Sequence, residues 1–271
     1  MKLIKEYARH VYHSSRHLVI HVFFLISILY LADESNHEST LFANIVRVSR
    51  LQTRGTHDTV FVRHLMKSMH KMMNDRNAIF NNTEQLSFKA RLFQSVDSDL
   101  MYGAGACGGF SKVFARALKT AGYTTRIGQM KVNGVYGGHI LLETYLPSLH
   151  NWVVMDPLFL QVFTNPKGIW ASFDEVSQDW LYYRQQITDK KYNDAYRYEG
   201  IRYTNWSKFP FTGNAIYLLL SFVNGSEWAD HFSIRPYLLD RYRFAKWVLL
   251  LSYGWYILLG MFLLNRKERS A

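Results

Sequence analysis

Gly103-Ala-Gly-Ala-Cys107-Gly-Gly-Phe-Ser-Lys-Val-Phe-Ala-Arg-Ala-Leu-Lys-Thr-Ala-Gly122 is the stretch from which the rest of the chain can be read. Phe110, Val113, Phe114, Ala117, Leu118 and Ala121 recur at i, i+3, i+4, i+7, i+8 and i+11, the spacing of one apolar helix face. Gly122 supplies the stop. Cys107, the only cysteine of the chain, therefore stands at a helix amino terminus. Free N–H groups and the helix dipole favour a thiolate there. The flanking glycines leave room for a substrate backbone, and the N–H of Cys107 is placed to donate to an oxyanion.

Strand-like runs follow. Tyr123 to Val132 ends at Asn133-Gly134, a two-residue hairpin signal, and the chain returns over Val135–Leu146. A third run, Trp152 to Asp156, comes after the turn-rich Pro147-Ser148-Leu149-His150-Asn151. A tight turn centred between Pro147 and Ser148 pairs His139 with Asp156, Leu141 with Val154 and Glu143 with Trp152. Opposed residues share a face of the sheet, so imidazole and carboxylate become neighbours. A cysteine nucleophile needs a base to take its proton and a carboxylate to orient that base. Cys107, His139 and Asp156 supply those types in that order. Singly, each has a plainer explanation: a buried cysteine is a small hydrophobe, a strand histidine a core residue, and an aspartate before proline a turn starter.

The composition is that of a folded protein, and a single cysteine excludes an intramolecular disulfide. The net charge of +11 is concentrated beside apolar segments, at Lys2, Lys5, Arg9 and Arg16 and again from Arg235 to Arg269. That pattern is a membrane topology signal, and no nucleic-acid motif accompanies it. Trp247 to Leu264 is uncharged and long enough, or nearly so, to span a bilayer. Leu18 to Ala32 is apolar except for His21 and is expected to be an uncleaved signal anchor. Cations precede it and acids follow, which puts the amino terminus in the cytoplasm and translocates the middle of the chain. Three domains result: a leader and anchor over 1–32, a folded domain over 33–245 whose last part is aromatic-rich, and a second span with a basic tail over 246–271. Ala215 to Val223 is too short to cross; a buried helix is expected, with a membrane-lying element of the domain as the alternative. Residues 56–74 form another helix, whose His57, His64 and His70 lack partners at metal-ligand spacing. The aromatic stretch from Trp180 to Trp206 is expected to pack beside the cleft. Asn81, Asn205 and Asn224 begin Asn-x-Ser/Thr triplets, which are common by chance.

The chain resembles the transglutaminase-like superfamily. The residues that carry the likeness are Gly105 to Arg126 around Cys107, Gly138-His139-Ile-Leu-Leu-Glu143, and Trp152-Val-Val-Met-Asp156-Pro157. They cover a minority of the chain but keep the family's order. The resemblance implies an α+β fold with a papain-like core, a cysteine-bearing helix on an antiparallel sheet that carries His and Asp, here flanked by two membrane helices. It implies Cys107 as nucleophile, His139 as base and Asp156 as orienter, acting on a protein or peptide-like amide through a thioester, with hydrolysis favoured over transamidation. No cofactor or metal is implied, and no acidic cluster of calcium-site type is present. The family's upstream oxyanion side chain falls on Gln94 or Tyr102. The likeness is to bacterial members, which implies the inner membrane with the domain on the extracytoplasmic side. The alternative is a non-catalytic, membrane-tethered binding or assembly module on the same fold. Oligomeric state is not legible.

Overall fold

The computed structural model describes residues 7, 11, 14–54, 56–79, 86–103 and 105–269; Lys2, Lys5, Arg9 and Asn81 lie outside the described residues. Two compact units divide the chain, one formed by residues 1–38 with 240–271 and the other by Ser39–Leu239.

The first helix, α1 (Ser15–Gln52), does not stop where the apolar run ends. No glycine or proline lies between Ala32 and Gln52, so nothing in the sequence terminates it. Within the first unit its amino-terminal half meets the last helix, α11 (Arg241–Arg269). His17 Nδ1 lies 2.6 Å from the Tyr256 hydroxyl and His21 Nδ1 2.8 Å from that of Tyr253. Phe24 stacks on Tyr253. His21, which with Ser27 interrupts the amino-terminal apolar run, is thus matched to a hydroxyl, as a polar group in an apolar setting requires. Ser15–Gln52 and Arg241–Arg266 are both long and apolar enough to cross a membrane, and only 11% and 0% of their apolar windows are buried.

The second unit is built on a five-stranded antiparallel sheet in the order β4-β3-β2-β1-β5. Its strands are β1 (Thr125–Val132), β2 (Val135–Leu146), β3 (Asn151–Asp156), β4 (Gln161–Val162) and β5 (Ile201–Arg202). Asn133 and Gly134, both at positive φ, close the first hairpin between Val132 and Val135, as the Asn-Gly signal predicts. The second hairpin differs from expectation. Pro147–Leu149 is a 3-10 turn and His150 adopts the left-handed conformation, so four residues rather than two connect β2 to β3. Glu143 therefore pairs with Val154 and Tyr145 with Trp152, a displacement of two residues from the predicted register. A slip of two keeps every side chain on its face, whereas a slip of one would have reversed it.

One face of the sheet, through Ile127, Leu142, Val153 and Met155, packs on α2 (Asp58–Ile79), α4 (Val96–Tyr102) and α5 (Cys107–Thr120), after the short α3 (Phe88–Phe93). The predicted apolar face of α5 is buried, with Val113, Phe114, Ala117 and Leu118 fully enclosed. Gly122 ends α5 at φ 95°, while the N–H groups of Gly122 and Tyr123 return to the carbonyls of Lys119 and Leu118. The other face, through Met130, Leu141 and Val154, is covered by the segment that carries the chain from β4 at one edge to β5 at the other. That segment holds α6 (Phe173–Gln178), α7 (Trp180–Tyr183) and α8 (Lys190–Ala195), and it buries Phe163, Phe173, Tyr183, Tyr192 and Tyr198.

Then come α9 (Gly213–Asn224) and α10 (Ser226–His231). The expectation of a buried helix over Ala215–Val223 is not met: Ile216, Leu218, Leu219, Phe222 and Val223 are exposed. An apolar run specifies that a segment avoids water, but it does not specify what replaces the water.

Candidate active site

Cys107 is the first residue of α5, half-buried and not in a disulfide. Ala106 precedes it as the cap and makes no side-chain bond to the first turn. Gly109 is buried, and a Cβ on Gly108 would sit 3.4 Å from the Ile140 side chain. This close seating is fixed from the same helix by the Ser111 hydroxyl, which donates to the Ile140 carbonyl at 3.0 Å.

His139 enters from β2 immediately after an irregularity in the ladder. Met130 pairs with His139, but the next residue of β1, Lys131, pairs with Tyr136, so Gly137 and Gly138 bulge out. Gly137 has a φ of 105°, and a Cβ on Gly138 would come within 2.6 Å of Val132. Glycine is required at both, and such bulges re-aim the side chain that follows.

The side chain of His139 is fully enclosed, and its Nε2 lies 2.5 Å from Oδ2 of Asp156. Asp156 is not the residue directly opposite; the four-residue turn makes it a diagonal neighbour, still within side-chain reach on the same face. Its other oxygen, Oδ1, accepts from the backbone N–H groups of Leu158 and Phe159 at 3.1 and 3.4 Å. The turn-starting and imidazole-orienting roles open to Asp156 are therefore filled at once.

The second imidazole nitrogen, Nδ1, makes no regular hydrogen bond among the described residues. The Cys107 thiol is nonetheless close enough that each group changes the other's proton affinity. Burial pulls the His139 pKa down, but the hydrogen bond to Asp156, the nearby Cys107 thiol and the charges of both push it up to about 9. Burial raises the thiol, while the neighbouring His139 ring, its charge and the backbone of Ile140 outweigh this and hold it below the ordinary value. Thiolate and imidazolium are thus mutually favoured.

The pH dependence of stability follows from these signs. The His139 contribution is full below its unfolded value of about 6.5 and is lost as pH rises through about 9. The Cys107 contribution is present above the free thiol value of about 8.5 and is lost as pH falls through the lowered one. Thiolate–imidazolium and thiol–imidazole hold the same number of protons, so the two dependences oppose each other between roughly pH 6.5 and 8.5. Nitrogen NMR of the His139 ring should find it still protonated at pH 8, where a free imidazole is roughly 97% neutral. Cys107→Ala should move that titration to lower pH; an unmoved titration would separate the two groups.

Three residues near the imidazole were not anticipated individually. Tyr196 stacks on the His139 ring with centroids 4.2 Å apart and planes at 28°, while Phe159 and Tyr192 lie 6.0 and 6.2 Å away. Most of the aromatic stretch from Trp180 onward is core, and Tyr192 and Tyr196 are its members beside the imidazole. Gln94 and Tyr102 stand at the carboxyl ends of α3 and α4. Gln94 lines a cavity of about 260 Å³ with Asp99 and Lys112 that neither Cys107 nor His139 lines. His70 donates from Nδ1–H to the Pro157 carbonyl at 3.0 Å, and His64 Nε2 lies 2.8 Å from Gln52 Oε1.

Other residues of the sequence patterns gather at a second place. Glu143 is buried, with Oε1 accepting the Phe173 N–H at 2.7 Å and Oε2 accepting the Tyr203 hydroxyl. The Arg126 guanidinium lies over Trp152, 3.6 Å from the ring centroid, and 5.7 Å from that of Tyr203. Arg126, Glu143 and Trp152 also line a cavity of about 550 Å³ with Asp174, Trp228 and His231.

Fold and site together define an α+β protein with a five-stranded antiparallel sheet, two apolar helices of membrane-spanning length, and a cysteine, a histidine and an aspartate in mutual reach. No protein-family model, curated protein or solved structure matches the chain.

Proposed function

We propose that the chain is a membrane-anchored cysteine enzyme of the transglutaminase-like class, with a papain-like core, acting on amide bonds through Cys107. The observation that carries this is the enclosed His139–Asp156 pair beside a thiol whose proton affinity it lowers. A buried imidazole bonded to a carboxylate on one side, with a thiol close by, is the arrangement of a nucleophile, base and orienter.

In the reaction so read, the Cys107 thiolate adds to the carbonyl carbon of an amide. The negative charge moves to the carbonyl oxygen, where the free N–H groups of the first turn of α5 can stabilise it. The imidazolium of His139 gives its proton to the leaving nitrogen, the C–N bond breaks, and an acyl thioester remains. Neutral His139 then takes a proton from water, which displaces the thiolate and releases the acid. Asp156 holds the ring and offsets its charge throughout. An amine in place of water would transfer the acyl group. Gln94 and Tyr102 remain the candidates for a side-chain oxyanion donor. On this reading the two apolar helices anchor the protein in a bacterial inner membrane, with the domain on the extracytoplasmic side.

The test uses the full chain in detergent and a panel of activated peptide amides. A covalent acyl adduct on Cys107, seen by mass spectrometry after acid quench, is the expected result. Turnover should be bell-shaped in pH, rising with thiolate formation and falling near pH 9 as His139 loses the proton it must donate. If no adduct forms while the thiol titrates like a free one, near 8.5, the fold serves as a tethered binding module instead.

A further inference from the structure

We infer that α9, with the aromatic segment between α10 and α11, is a bilayer-docking face that lays the domain on the membrane surface. This rests on the anchoring proposed above and extends it from the ends of the chain to the folded unit itself.

The first ground is exposure. Of the side chains of α9, Phe222 is 90% exposed, and Leu218, Leu219 and Val223 are each more than half exposed. No charged residue occurs from Thr212 to Ser226. At 3.6 residues per turn, Ile216, Leu218, Leu219, Phe222 and Val223 spread over roughly 160° of the helix, wider than the roughly 100° stripe that a helix presents to a packed core. Phe211, just before the helix, is fully exposed. Lipid can cover so broad and convex an arc, and short helices of this kind lie in the interface rather than cross it.

The second ground is position along the chain. Phe232 links the α9–α10 region to the segment that follows, with Trp206 stacked on one side at 6.0 Å, Tyr237 stacked on another at 5.8 Å, and Trp228 tilted against it at 5.1 Å. Tyr237 and Leu238 are themselves exposed. The membrane-length helix α11 begins at Arg241. Four residues reach at most about 14 Å, so the rim of this face is held within that distance of the point where the span begins. Arg241, Arg243 and Lys246 stand at that point, where cations meet lipid headgroups, and the Trp and Tyr rings of the face suit the same depth. No such tether bears on a soluble protein partner.

The experiment uses the full chain in liposomes of phosphatidylcholine and phosphatidylglycerol, in a Cys107→Ser background that leaves no other thiol. Phe222→Cys, Leu258→Cys and Lys167→Cys are labelled one at a time with an environment-sensitive fluorophore. Position 258 reports the α11 span, and position 167, exposed in a loop by β4, reports the remote surface. Lipids carrying nitroxide in their acyl chains should quench positions 222 and 258 at least twofold and leave 167 unchanged. Quenching at 258 without 222 overturns the docking face and leaves the anchoring intact. Quenching at neither overturns both. A label at 222 shielded from aqueous iodide but untouched by the lipid nitroxide means that protein covers the face, which also overturns it.

Discussion

Iodoacetamide should alkylate Cys107 at neutral pH at least tenfold more slowly in His139→Ala than in the native protein, and not at all in Cys107→Ala. Burial alone would raise the thiol pKa; it is lowered because the adjacent His139 ring and its positive charge favour the thiolate. Removing the ring leaves burial and the charge of Asp156, both raising, against the backbone of Ile140. Each unit of increase cuts the thiolate fraction tenfold while the pH lies below the pKa, and the thiolate is the reacting form. Asp156→Asn should fall between, since an amide oxygen can still accept from the ring but carries no charge to hold the imidazolium. The pH profile separates this from a simple access effect. Native alkylation should rise with the lowered thiol pKa and then stay level through pH 9, because a thiolate next to neutral imidazole still reacts, whereas amide turnover should fall there. A His139→Ala protein that keeps its fold by circular dichroism and is alkylated at the native rate would remove the basis for the proposed chemistry.

Local chemistry made some of this architecture readable and left other parts silent. The α5 face, its Gly122 stop and the Asn133-Gly134 turn are decided within a few residues, and the structure has them where the pattern puts them. The His139–Asp156 contact was also legible, although through a register wrong by two. Period-2 alternation fixes the face of a side chain but not its partner, and the length of the turn at Pro147 sets the partner. The bulge at Gly137 and Gly138 depends on how β1 and β2 twist together, which neither strand encodes alone. Two-residue strands such as β4 and β5 carry no period at all. Tyr196 reaches the imidazole only because the crossover segment returns over the sheet, so no local signal singles it out among the chain's 18 tyrosines. For α9 the hydropathy was read correctly and the burial was not, since sequence does not distinguish a core from a lipid surface.

Glu143 shows the same limit from the other side, and it supports the second large expectation. It sits four residues after His139, on the same face of β2, and looks equally eligible for chemistry. The structure gives it a scaffold's contacts: the Phe173 N–H at the start of α6, the Tyr203 hydroxyl just after β5, and the Arg126 charge. One carboxylate thus joins the central strand to both ends of the crossover that buries the second face. Glu143→Ala should lower the unfolding free energy by about 3–5 kcal/mol, because it strands a buried N–H and a buried hydroxyl and removes the anion facing Arg126. Glu143→Gln should cost less than about 1.5 kcal/mol, since its amide keeps an acceptor for Phe173 and can donate to the Tyr203 oxygen. Burial raises the Glu143 pKa despite these partners. A raised carboxyl contributes stability that is full below its unfolded value, about 4.3, and that is lost as pH rises through the folded value. Urea midpoints should therefore decline for the native chain as pH rises from about 4.3 to the folded value and level off above it, relative to Glu143→Gln. In both variants, the folded fraction should alkylate at Cys107 at the native rate. A Glu143→Gln protein of normal stability with a slowed thiol would move this residue from the scaffold into the site.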